Sequence, residues 1–150
     1  MISLEKADIN DAKLLTKISK DAFNDSSRRF GNGTNSGPPG YDSVDANSNV
    51  INSNLTYKII HYDKIVGWLF INNLDHGNYE LFSICIDPVY QNKGIGSEAI
   101  KILEKTVPDA TKWILKTVPY SKRNHHFYEK LGYNKIGEED NYFFVYEKIT

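Results

Sequence analysis

Residues 79–97 read YELFSICIDPVYQNKGIGS, and this stretch decides the fold. An apolar, β-rich run from Tyr79 to Ile86 stops at Asp87-Pro88, and the turn Gln91-Asn92-Lys93-Gly94-Ile95-Gly96-Ser97 then opens a helix. Two glycines let the backbone approach a ligand with no Cβ in the way. The first helical turn leaves N–H donors without partners, at the positive end of the helix dipole. Strand, glycine turn and helix start in this order build an anion site that fits a diphosphate.

Three glycine-rich phosphate motifs compete for this stretch. A P-loop closes on Gly-Lys-Ser/Thr, whereas Lys93 here precedes both glycines. Gly94, Gly96 and Ala99 do satisfy G-x-G-x-x-A, the dinucleotide fingerprint. That fingerprint ends the first strand of a βαβ unit and asks for an acidic residue closing the next strand. The next strand, residues 113–117, carries Lys116 inside and ends without an acid, and the segments before the motif read as hairpins.

Residues 123–133, RNHHFYEKLGY, carry the third reading. Together the two segments resemble the GNAT superfamily of acetyl-CoA-dependent N-acetyltransferases. In that family a Q/R-x-x-G-x-G/A turn after the fourth strand holds the coenzyme A diphosphate, and a later N-x-x-x-F-Y-like helix supplies an Asn and a Tyr. Gln91, Gly94 and Gly96 match the first motif; Asn124, Tyr128, Gly132 and Tyr133 match the second. Residues 37–43, GPPGYDS, together with 124–133, are further similar to a bacterial subgroup of acetyltransferases.

The resemblance implies an α+β GNAT acyl-CoA N-acyltransferase fold, a central mixed, mostly antiparallel twisted sheet flanked by helices. It implies acetyl transfer to a primary amine of a small molecule or peptide by direct attack in a ternary complex. The alternative is an acyl-CoA-binding sensor or regulatory module with little turnover. For the donor, acetyl-CoA, it assigns the backbone of Ile84, Cys85 and Ile86 to the pantetheine amides. Gln91, Asn92, Lys93, Gly94, Ile95, Gly96 and Ser97 hold the diphosphate, and Asn124 and Phe127 join the cofactor-binding set.

Acetyl transfer needs a deprotonated amine, stabilisation of the carbonyl oxygen and a proton for the departing thiolate. Tyr128 is the candidate for the last, four residues after Asn124 and so on the same helix face; it also reads as a core aromatic beside Phe127 and Leu131, and Asn124 as an N-cap. Glu80, opening the coenzyme strand, is the candidate base, with Asp75 and His76 as rivals in the preceding turn. Arg28, Arg29, Tyr41 and Trp68 are candidate substrate-lining residues. His125 and His126 point about 100° apart on a helix and no His or Cys cluster supports them, so no metal is expected.

Composition excludes other classes. Eighteen basic and 19 acidic residues leave a formal net charge of −1, which gives no basis for sequence-independent nucleic-acid binding. The start, MISLEKADIND, has acids where a signal peptide needs an apolar core, and no apolar run reaches the length of a membrane span, so a cytoplasmic location is expected. The one cysteine, Cys85, lies in an apolar strand and reads as a buried thiol.

The length suits one domain, residues 1–150. Residues 1–6 form a first strand, and Ala12, Leu15, Ile18, Ala22 and Phe23 recur at helical spacing. From 24 to 54 the composition turns to Asn, Ser, Gly, Asp and Pro, predicting a long loop with a short helix near 44–50. Residues 55–62 and 65–72 form a hairpin, 79–86 the third antiparallel strand, 95–107 a helix ended by Pro108, and 113–118 a strand. A helix at 124–131, closed by Gly132 at a left-handed C′ position, precedes a final aromatic strand, 142–149. As a sheet edge, that strand would offer a pairing surface for a homodimer.

Overall fold

In the computed structural model, which describes residues 1–150, all seven strands join one sheet. They are β1 (Ile2–Lys6), β2 (Leu55–His61), β3 (Lys64–Asn73), β4 (Asn78–Ile86), β5 (Lys112–Thr117), β6 (Asn134–Glu139) and β7 (Phe143–Ile149). The helices are α1 (Ala12–Phe30), α2 (Val44–Ser53), α3 (Ile95–Thr106) and α4 (Lys122–Lys130). The spatial order is β1-β2-β3-β4-β5-β7-β6, antiparallel everywhere except between β4 and β5. This is the mixed, mostly antiparallel sheet with helices that the resemblance implies.

Alternation along the strands splits the apolar residues into two layers. On one face, Ala12, Leu15, Ile18 and Ala22 of α1 and Ile51 of α2 bury against Trp68 and Cys85. On the other, Ile95, Ala99, Ile100 and Leu103 of α3 bury against Leu69, Ile71, Leu81, Trp113 and Leu115. Phe127, Tyr128, Leu131 and Tyr133 place α4 beside α3 in that second layer.

Two features of β4 position the site. The β3 register jumps from Phe70↔Ser83 to Ile71↔Leu81, leaving Phe82 as an extra, bulged residue. On the other side β4 pairs with β5 only at Asn78↔Lys112, Tyr79↔Trp113 and Glu80↔Ile114. Beyond Glu80 the parallel strands part, β4 continuing along β3 and β5 along β7.

Three expectations need correction. The loop expected from residue 24 is shorter, because α1 runs on to Phe30. Its polar end is held by a tertiary contact that composition does not display, buried Asn24 accepting a 2.6 Å hydrogen bond from the Tyr41 hydroxyl, and by a local i,i+4 pair of Arg29 with Asp25 at 3.3 Å. The short helix is full length at Val44–Ser53, capped by the Ser43 hydroxyl and tied to α1 by Asn47 Nδ2 donating to Thr16 Oγ1 at 3.0 Å. The C-terminal strand β7 is interior; the edge is β6, its hairpin partner. The turn between them places Asp140 and Asn141 both at φ 55, with Tyr142 N–H donating to Glu139 C=O, a tight mirror-image turn that fits the twist of its strands.

Candidate active site

The glycine turn forms as its spacing predicts. Asn92 at φ 61 and Gly94 at φ 76 swing the chain into α3, and a Cβ on Gly94 would meet nothing, so its glycine is a conformational requirement. Gly96 serves packing as well: a Cβ there would stand 3.3 Å from Phe127 Cζ, so its absence lets α4 close on the start of α3. The backbone N–H groups of Asn92 through Ser97 find no acceptor within the chain, a row of donors at the positive helix end. Gln91 Nε2 donates to Ile86 C=O at 3.0 Å, tying the turn to the end of β4, while its buried Oε1 has no partner. Lys93 is exposed, its ammonium 5.9 Å from the Tyr90 ring.

The parted strands lead from this turn to Glu80. Ile84 and Ile86 are half-buried on the α3 layer, while the Cys85 side chain goes to the α1 layer, where burial pushes its thiol well above the usual range. At the end of β5, the other lip of the gap, Thr117 Oγ1 is buried without a partner. Glu80 is the last residue of β4 still paired with β5, so its 12 % exposed carboxylate stands where the gap begins. Its Oε1 accepts from Asn72 Nδ2 at 3.1 Å, and its Oε2 lies 3.9 Å from Lys116 Nζ. Lys116 is bound more tightly by Glu139, at 2.9 Å, and that carboxylate holds the ammonium above its usual pKa range.

Asp75 and His76 sit on the exposed β3–β4 turn, before β4 begins at Asn78 and on the side of Glu80 away from the gap. Tyr128 is half-buried in α4, its ring 5.0 Å from Phe127 and 5.9 Å from Tyr133. Burial pushes its phenol up to about 12, and the hydroxyl bonds to no other group of the chain. Asn124 lies one turn earlier, exposed and in the third helical position, so it is no N-cap; Ser121 takes that place. His125 Nε2 contacts Val118 C=O at 2.9 Å and its ring stacks on Phe144, and nowhere do three His, Cys, Asp or Glu side chains gather as a metal set would.

The four substrate-lining candidates do not assemble into one wall. Trp68 is 3 % exposed beneath α1, a core residue because its strand position faces the α1 layer. The Tyr41 hydroxyl donates to Asn24, the Arg28 guanidinium donates to Asn35, and the Arg29 guanidinium donates to Asp25 and lies over the Phe30 ring. Sequence reasoning missed Asn72, Phe82, Glu139 and Thr117, and weighed Lys116 only against a dinucleotide site. The one available signal was a lysine in the interior of a strand.

Residues 19–133 match the family model of the acetyltransferase (GNAT) family, and the chain belongs to that family. It is 31% identical over 86 residues to the uncharacterized protein YrkN of Bacillus subtilis (strain 168), a match over 55% of this chain and 45% of that one. The chain thus spans under half the length of this relative. Among solved structures, the PaiA N-acetyltransferase of Thermoplasma acidophilum in complex with coenzyme A superposes with a TM-score of 0.82 at 17% identity, over 100% of this chain and 99% of that one. An acetyltransferase from Thermus thermophilus gives 0.83 at 12% identity, over 100% and 97%. The ribosomal-protein-S18-alanine N-acetyltransferase of Escherichia coli gives 0.74 at 16% identity, over 99% and 94%. No helix is long and apolar enough to cross a membrane.

Proposed function

We propose that this GNAT acetyltransferase transfers the acetyl group of acetyl-CoA to a primary amine by direct attack in a ternary complex. The observation that carries this reading is the parting of β4 from β5 at Glu80, with free backbone donors at its outer end and a carboxylate at its inner end. Asn92 through Ser97 would take the diphosphate by main-chain N–H groups. Beyond Glu80 the side of β4 that faces β5 has no strand partner, and Thr117 Oγ1 and Gln91 Oε1 are buried without one; a bound pantetheine arm would supply partners to these groups. A thioester supplies an activated acyl group with a good leaving group.

The chain's own residues would do the rest. Glu80 accepts the amine proton, directly or through water, held in place by Asn72. Tyr128 remains protonated at any working pH. Since its phenol lies well above an ordinary thiol near 8.5, full proton transfer from it is uphill, and its useful role is hydrogen-bond donation to the sulfur as charge builds there, the departing thiolate then taking its proton from water.

One observation favours the second reading, an acyl-CoA-binding module with little turnover: both Glu80 oxygens already face donors, Asn72 and Lys116. Two measurements decide. Acetyl-CoA at a hundredfold excess over its Kd should stabilise the fold by about 2.7 kcal/mol while NADH does not, and free CoA should be released when amines are added. Stabilisation without CoA release would favour the sensor, and equal stabilisation by NADH would return the dinucleotide reading.

A further inference from the structure

Beside Glu80 the sheet carries a row of stacked aromatic rings that ends in solvent. Trp68 and Phe70 stack at 5.8 Å and 29°, and Phe70 and Phe82 at 5.1 Å and 22°. The row begins in the α1 core and finishes at Phe82, which is 58 % exposed. Phe82 is the extra residue of the bulge, opposite no β3 partner, and its ring lies on the same sheet face as Phe70 and stacks on it. A large apolar ring held in water by its backbone is a ready stacking surface for another ring.

The charges beside it narrow the ligand further. Glu80 lies two residues before Phe82 on the same face, roughly 7 Å along the strand, a span that a two-carbon linker between an amine and a ring can match. The cation in reach, Lys116, is drawn to Glu139 at 2.9 Å and stands off Glu80 at 3.9 Å, so two carboxylates share one ammonium. That excess negative charge welcomes an acceptor's ammonium and repels a carboxylate on the adjacent carbon.

We infer that the acceptor is an aromatic or similarly flat apolar primary amine without a neighbouring carboxylate, its amine at Glu80 and its ring stacked on Phe82, which makes Phe82 a specificity-determining residue. The inference rests on the acetyl-transfer reading. It also disfavours free amino acids, which bring a carboxylate, and linear polyamines, which have no ring.

The test uses the full chain with acetyl-CoA and measures CoA release with 2-phenylethylamine, spermidine, glycine and an alanyl peptide amide. The expected result is the highest kcat/KM for 2-phenylethylamine. Phe82→Ala should lower that value about tenfold, mostly through KM, with acetyl-CoA affinity and the urea midpoint unchanged. Phe82→Trp should retain it. A preference for any of the other three amines, or a phenylethylamine KM indifferent to Phe82→Ala, overturns the inference and leaves acetyl transfer standing. CoA release with no amine, while acetyl-CoA still binds, overturns both.

Discussion

At the scale of single residues, the site separates binding from chemistry, and two substitutions can read them apart. Tyr128→Phe removes one hydroxyl that bonds to no other group of the chain and keeps the ring contacts with Phe127 and Tyr133. Turnover should fall about 10²-fold while acetyl-CoA affinity stays level, measured by single-turnover kinetics and calorimetry. Unchanged single-turnover rates would return Tyr128 to the core. Glu80→Gln keeps the Asn72 contact, because an amide oxygen still accepts from Nδ2. It should slow the reaction most below the acceptor's pKa and recover as pH rises and the amine loses its own proton. A deficit independent of pH would instead make Glu80 an electrostatic anchor.

At the scale of elements, the glycine turn and the packing of α4 are coupled through Gly96. Gly96→Val would push a branched side chain against Phe127, which stands 3.3 Å from where even a Cβ would lie, moving α4 as well as crowding the anion site. Its loss of acetyl-CoA affinity should far exceed that of Lys93→Ala, a few-fold effect for one solvated cation, as calorimetry can measure. Equal losses would place the diphosphate elsewhere.

The same scale shows what the sequence discloses and what it withholds. The glycine turn and the α4 cap were readable because their determinants are local. Gly132 at φ 96 ends α4 with Tyr133 N–H bonded to Tyr128 C=O and Gly132 N–H to Glu129 C=O, as a glycine after the helix predicts. The end of α1 was not readable, because Asn24 stays helical through a partner 17 residues away. Nor was the cluster of Glu80, Lys116 and Glu139, which gathers from β4, β5 and β6 only once the sheet order is set. Phe82 reads in the sequence as any alternating strand residue, and only the register jump shows that it has no partner across β3.

At the scale of the whole molecule, acidic hydroxyls and a thiol are packed into both layers flanking the sheet, and their burial predicts a loss of stability in alkali. Burial pushes Tyr128 and Tyr146 up to about 12, with the Glu129 carboxylate adding to the effect at Tyr146, and it raises Tyr133 and Cys85 further. Each group is neutral when protonated, and each pKa is higher in the folded chain than in the unfolded one. The unfolded chain therefore releases these protons first, from near 9.0 for the thiol and near 10.0 for the phenols. Stability from these groups is fully present below about pH 8, where neither state has ionised them, and is lost as pH climbs toward the folded values, first through the thiol and then through the phenols. Urea midpoints should be level from pH 7 to 8 and fall increasingly between pH 9 and 12. Tyr128→Phe, which deletes an ionisable group but leaves its ring, should make that fall shallower between pH 10 and 12 with little change at pH 8. An equally steep fall in the variant would show that the Tyr128 phenol ionises in the folded protein as readily as in water.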